Sequence, residues 1–311
     1  MNPLLVEPVD SKQILLNLII LFFTFSLEGS LYHSQKEENI APFDEFILTW
    51  NGKRPENDKI NFYVRLKTDA WSPYFLYATW GKSGQNSYRY GTDIRVDQDV
   101  ISTKTKATGF EIKVEGANPK DFCYHVYVNQ EKTICHNVSN LGSIRLDVPG
   151  LSQKTLDHPR KMDLCSPTSS TAVIRYLSNA SIDPVLFAEN VCDSGFDIYG
   201  NWILNVAEAS SILDSWHCWV ERLCGFEELH ARLMKNTPVV VSVRGPLKGS
   251  ALPYAKGHLL VVKGYDAEKN MVLCMDPAFP TNEETNIAYP LSDFMAAWER
   301  RGLLSYIFEK K

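Results

Sequence analysis

Three residues whose types cooperate in acyl transfer follow one another as Cys165, His258 and Asp276. Cys165 stands in Leu164-Cys-Ser-Pro-Thr-Ser-Ser170. A helix is predicted from Thr168 to Leu177, because Val173, Tyr176 and Leu177 fall at i, i+3, i+4 spacing. Pro167 suits its first turn, where a missing N–H costs little. A thiol at that end meets partial positive charge and unpaired N–H groups, and both favour the thiolate. A thiolate nucleophile needs an imidazole base, and the imidazole needs an acceptor to orient it. His258 follows Gly257 at the head of the apolar run Leu259-Leu-Val-Val262, and Asp276 closes Met271-Val-Leu-Cys-Met275 just before Pro277. A hairpin-length link, Gly264 to Asn270, would bring both to one end of neighbouring strands. The chemistry implied is attack on a carbonyl by a base-assisted thiol. Each residue also has a plain structural reading: a small buried thiol, a core imidazole bonded to backbone, a carboxylate capping a proline turn.

The elements that must position these residues form two regions. From Phe43 to Val148 the pattern has period two: Ile60, Phe62, Val64 and Leu66 alternate with polar neighbours, as do Phe110, Ile112 and Val114. Turn signals recur at Asn51-Gly52, Gly81 to Gly84 and Gly116 to Pro119. Short strands with regular turns predict an all-β sandwich over residues 40–148. After Pro149-Gly150 the period changes. Helices are predicted at Pro184–Val191, Asn201–Leu213, Phe226–Met234 and Ser292–Arg300, and strands at Val239–Val243, Leu259–Val262, Met271–Met275 and Leu304–Phe308. Helices first and hairpin-linked strands after give an α+β class with an antiparallel sheet over residues 149–311. No internal repeat is visible.

Cys, His and Asp in that order, on a helix start and two successive strands, resemble the papain-like cysteine peptidases. More closely they resemble the C39-like peptidase domains found in many bacterial proteins. Cys165-Ser-Pro-Thr-Ser169 matches the family's C-x-P-T-S, Gly257-His-Leu-Leu-Val-Val262 its GH followed by apolar residues, and Asp276-Pro-Ala278 its D-P-A segment. Val148-Pro-Gly-Leu-Ser-Gln153 is similar to the family's segment bearing a glutamine, here twelve residues before the cysteine. Ser166 departs from the more usual glycine. The closing helix and strand, Phe294 to Phe308, also look like the family, and the β-rich region resembles the accessory domain that precedes it in some members. The resemblance implies a cysteine peptidase with Cys165 as nucleophile, His258 as base and then acid, and Asp276 orienting His258. Gln153 and the backbone N–H of Cys165 would form the oxyanion hole. It implies a peptide or protein substrate and no metal or organic cofactor. Two alternatives stay open: acyl transfer by the same triad, and an inactive envelope protein that binds a glycan, a cell-wall component or a protein. Trp50, Trp71 and Trp80 could offer a glycan their aromatic faces, or could be core residues.

With 32 Lys plus Arg against 37 Asp plus Glu, the formal net charge is -5, which argues against a nucleic-acid partner. No P-loop is present. Ile14 to Leu27 is an uncharged apolar run of 14 residues, shorter than the ~20 a span needs. It reads as the core of an export signal within residues 1–30, with a short anchor or a buried helix as alternatives, although Glu7 and Asp10 sit where a basic start is usual. No later stretch is long and apolar enough to span a membrane. Export would place the protein in the periplasm, on the envelope or outside the cell. The seven cysteines include no CxxC; His217-Cys218 and Cys224 come nearest to a metal cluster, but at no zinc spacing. Cys123 and Cys135 flank a segment with a turn signal at Asn129, which an exported chain could bridge; separate buried thiols are the alternative.

Overall fold

A computed structural model describes residues 24–25, 32–116, 122–129 and 141–311. Its N-terminal strands are β1 (Thr24–Phe25), β2 (Tyr32–Asn51), β3 (Ile60–Lys67), β4 (Phe75–Trp80), β5 (Asn86–Ser87), β6 (Arg89–Tyr90), β7 (Ile94–Asp97), β8 (Val100–Glu115) and β9 (Cys123–Val128). After them come β10 (Ile144–Arg145), α1 (Cys165–Ser178), α2 (Pro184–Val191), α3 (Trp202–Ile212) and β11 (Trp216–Arg222). The chain closes with α4 (Phe226–Met234), β12 (Val239–Val243), β13 (His258–Asp266), β14 (Met271–Met275), β15 (Asn286–Pro290), α5 (Leu291–Glu299) and β16 (Leu304–Lys310).

The N-terminal strands are antiparallel, as the period-two pattern and its turns predict. They form one nine-stranded antiparallel sheet, in the order β1-β2-β8-β3-β4-β5 with β6, β7 and β9 joined at its side. The reason lies in β2 and β8. Each is long enough to serve two layers, and their pairing shifts register between Glu38 and Glu45. The first half of β2 pairs with β8, whereas its last six residues pair with β9. The layers then face each other: Trp50 of β2 stacks on Phe62 of β3 at 3.9 Å, and Phe46 meets Phe110 at 5.2 Å. In β3 every second residue is buried, as period two requires. Trp50 and Trp80 are fully buried and offer no face to a glycan. Trp71 remains accessible and lies beneath Lys36 and Arg65, at 5.0 and 4.8 Å.

The C-terminal sheet is also antiparallel, in the order β11-β16-β12-β13-β14-β15, with β10 on β13. Helix α1 packs on β13, and its residues 166–174 are all buried. Strand β12 is Val-Val-Val-Ser-Val, buried at every position because both faces are covered. The apolar positions of both sheets join one contiguous core; each fully buried Val, Leu or Phe contributes ~1.5–3 kcal/mol. Of the run Ile14–Leu27, all but Thr24–Phe25 lies outside the described residues, as do Cys135 and His136. Among the described residues no helix is long and apolar enough to cross a membrane.

Asn51 joins the two sheets. Its amide Nδ2 donates to the Cys218 carbonyl at 2.8 Å, and its Oδ1 accepts from the Cys218 N–H at 2.6 Å. Asn51→Ala would orphan two buried backbone groups. It should cost roughly 2–4 kcal/mol, read as a fall in the denaturant midpoint with an unchanged slope.

Candidate active site

Helix α1 starts at Cys165 itself, three residues earlier than its apolar period indicates. The period could not show this, because Ser166, Thr168, Ser169 and Ser170 are polar yet buried. Leu164 at the N-cap provides no side-chain hydrogen bond, so the first N–H groups of the helix stay open around the thiol. Ser166, where the family more often has glycine, is held by Tyr306 Oη at 2.8 Å. Ser169 Oγ donates to the Leu259 carbonyl at 3.1 Å, which fixes α1 against β13 beside His258.

His258 heads β13 opposite Val243 of β12. Gly257 before it has φ of +102°, a region that glycine tolerates best. A Cβ there would meet ordinary contacts at 3.7–3.8 Å, so conformation rather than space is the constraint. Asp276 follows β14, and the antiparallel pairing of β13 with β14 puts it at the same end as His258. Its Oδ1 accepts from His258 Nε2 at 2.8 Å and from the Ala278 N–H at 3.0 Å. Its Oδ2 accepts from Tyr254 Oη and Tyr289 Oη, both at 2.7 Å. The Tyr254 ring also stacks on the His258 ring, with centroids 4.0 Å apart and planes within 11°. The Cys165 thiol is in hydrogen-bonding contact with His258. With Nε2 on Asp276, the ring nitrogen left for sulfur is Nδ1.

The electrostatics follow from these contacts. Burial disfavours charge on Cys165, but the hydrogen bond and charge of His258 outweigh it. With the Leu259 and Ser166 N–H groups they bring the thiol below its ordinary pKa. Burial likewise pulls His258 down, yet the charge and hydrogen bond of Asp276, with the contact to Cys165, lift it to about 10. Asp276 resists the upward push of burial because His258, Tyr289 and the Ala278 N–H all stabilise its anion. Burial and the neighbouring carboxylate push both tyrosines up, so they remain donors. The thiol is thus shifted toward its thiolate and the imidazole toward its protonated form.

Gln153 lies beside the same loop but differs from the expected oxyanion donor. Its Nε2 donates to the Lys161 and Met162 carbonyls at 3.0 and 2.8 Å, so both amide protons have acceptors. Its buried Oε1 has no hydrogen-bond partner. Its backbone N–H donates to the Pro277 carbonyl at 2.9 Å, which ties the segment before Cys165 to the turn after Asp276. Sequence reasoning missed Tyr254 and Tyr289. The available signal was that a buried carboxylate needs more donors than one imidazole.

An antiparallel sheet covered by a helix that begins at a cysteine, with histidine and aspartate at one end of adjacent strands, is the architecture of a papain-like cysteine peptidase. The chain belongs to the Peptidase_C39 like family, whose model matches residues 145–306, just over half of its length. Among solved structures, a Bacillus anthracis protein described as a C39-like peptidase is 20% identical. It aligns over 55% of this chain and 100% of its own, with a TM-score of 0.42. No curated protein sequence matches the chain.

The lowered thiol sets a pH signature. Cys165 should alkylate with iodoacetamide well below the ~8.5 at which a free thiol ionises. Asp276→Asn removes the anion that raises His258, so the rate profile should move to higher pH. Site-resolved mass spectrometry of alkylation against pH checks both; an ordinary thiol profile in the wild type would refute the lowered thiol.

Proposed function

We propose that the protein is a thiol hydrolase of peptide or amide bonds that works through Cys165, His258 and Asp276. One observation carries the reading: the Cys165 thiol contacts a His258 ring whose far nitrogen is held by Asp276 at 2.8 Å. Cys165 sulfur adds to the substrate carbonyl carbon. The negative charge passes to the carbonyl oxygen at the open N-terminus of α1, where the Cys165 N–H donates. The imidazolium of His258 gives its proton to the leaving amine as the C–N bond breaks, leaving a thioester. Water then attacks the thioester with His258 as base, and the acid product leaves as the thiol is restored. Asp276 holds the ring and stabilises its charged form. Gln153 joins the oxyanion hole when one of its amide protons leaves the Lys161–Met162 carbonyls for the substrate oxygen. The apolar run Ile14–Leu27 supports export, which N-terminal sequencing of the mature protein would test.

An activity-based thiol probe followed by cleavage of a peptide library tests the reading. Cys165→Ala should abolish both labelling and cleavage. His258→Ala should lower kcat/KM by ~10²–10⁴. Cleavage that survives Cys165→Ala would overturn it. For Gln153→Ala, kcat should fall by ~10²–10³ with the fold intact; lost stability with unchanged kcat would leave Gln153 only a brace for the 161–164 turn.

A further inference from the structure

At the seam between the two sheets lies a second cluster of chemistry-bearing side chains, remote in sequence from the triad. Cys123 and His125 are alternate residues of β9, and so extend from the same face of that strand. His217 comes from β11 in the other sheet. Their donor atoms, one sulfur and one ring nitrogen from each histidine, all lie within 4.8 Å of one another. The His125 ring is fixed by stacking on Trp219, with centroids 4.6 Å apart and planes 3° from parallel. Its Nε2 lies 3.9 Å from Cys123 Sγ. His217 Nδ1 is buried and has no hydrogen-bond partner, an arrangement that costs free energy unless something else is bound. Cys123 and His217 also line a cavity of about 310 Å³ that opens to solvent, with Lys53, Asp214 and Lys311 at its mouth.

We propose that Cys123, His125 and His217 form a zinc site that staples the N-terminal sheet to the peptidase sheet. One thiolate and two imidazoles are a borderline-soft donor set that suits Zn²⁺ over Mg²⁺ or Ca²⁺. Ligand atoms around a tetrahedral zinc sit closer together than 4.8 Å, so small rotations of the three side chains complete the site. The fourth position faces the cavity and takes water. Binding replaces the thiol S–H bond with S–Zn and releases one proton to solvent. Sequence alone hides the site. Ninety-odd residues separate His217 from Cys123, and no CxxC marks it.

The test uses the full chain carrying Cys165→Ala, so that the other Cys–His pair cannot report, with a non-thiol reductant present. Titration with Co²⁺ should give one equivalent of a thiolate-to-cobalt charge-transfer band with tetrahedral d–d intensity, displaced by Zn²⁺. Zn²⁺ should also raise the thermal midpoint, because a ligand of the folded state stabilises it. Cys123→Ser and His217→Gln should each weaken Zn²⁺ binding by more than ~100-fold, beyond the loss of an outer partner. Circular dichroism verifies that both variants fold. No charge-transfer band, or a band that survives Cys123→Ser, would overturn the proposal.

Discussion

The candidate site depends on keeping one carboxylate ionised where water cannot reach it. Asp276 has no exposed surface, and an unpaired buried charge would be very costly. Four donors meet that demand, two on each oxygen, and they come from four stretches of chain. They fix where β13 must begin, where the turn after β14 must bend and which face of β15 must point inward. Tyr254 shows how strong the constraint is. It holds a left-handed backbone, φ +49°, which is unfavourable for a bulky residue. It does so while one end of its side chain bonds Asp276 and its ring lies flat on His258. The same residue therefore satisfies the carboxylate and limits the tilt of the imidazole.

A second buried acid ties the two sheets together by hydrogen bonds. Asp193 accepts from the Ser87 N–H and hydroxyl and from Asn201 on one oxygen, and from the Gly195 and Phe196 N–H groups on the other. Ser87 belongs to the N-terminal sheet and Asn201 caps α3, so the acid welds the two regions. Gln85 adds bonds to the Asn190 and Cys192 carbonyls. Asp99 contrasts with Asp276. Its described donor is the Trp202 N–H at 3.2 Å, and burial lifts its pKa to about 8.

Much of this was legible in sequence where local chemistry determines the outcome. The thiol at a helix start, the GH strand and the Asp-Pro turn each carry a local signal, and their order was enough to place them together. The strands β3, β12 and β14 announced themselves by alternation or by apolar runs. What escaped depends on partners distant along the chain. Strand β11, Trp-His-Cys-Trp-Val-Glu-Arg, has no clean period because it is covered by β16 on one side and by the N-terminal sheet beyond. The double role of β2 could not appear in a short window, since its two halves differ only in the strands that pair with them. Trp50 and Trp80 could be surface or core until Phe62 and Phe122 were found against them. Gln153 matched a motif, but a motif fixes a residue's place and not the acceptors its amide finds.

Side chains link the N-terminal sheet to the strands that carry the candidate site. Glu45 of β2 pairs with Arg222 of β11, at 2.5 Å to Nε and 3.0 Å to Nη2. The remaining nitrogen of Arg222 donates to the Arg301 and Gly302 carbonyls, which orders the turn between α5 and β16. From that turn Arg301 Nε reaches Ser242 Oγ at 3.0 Å, one residue before the Val243 that pairs with His258. The Arg301 guanidinium also covers Trp202 at the start of α3, close to the Asp99 that the N-terminal sheet inserts there. Two of these links cross from the sheet: without it Arg222 would lose the Glu45 carboxylate, and the Trp202 N–H would lose Asp99. Cutting the chain near residue 144 would leave Arg222 without Glu45 and Asp193 without the two donors of Ser87. The region that precedes the family match is thus part of the physical support for the strand end on which His258 sits.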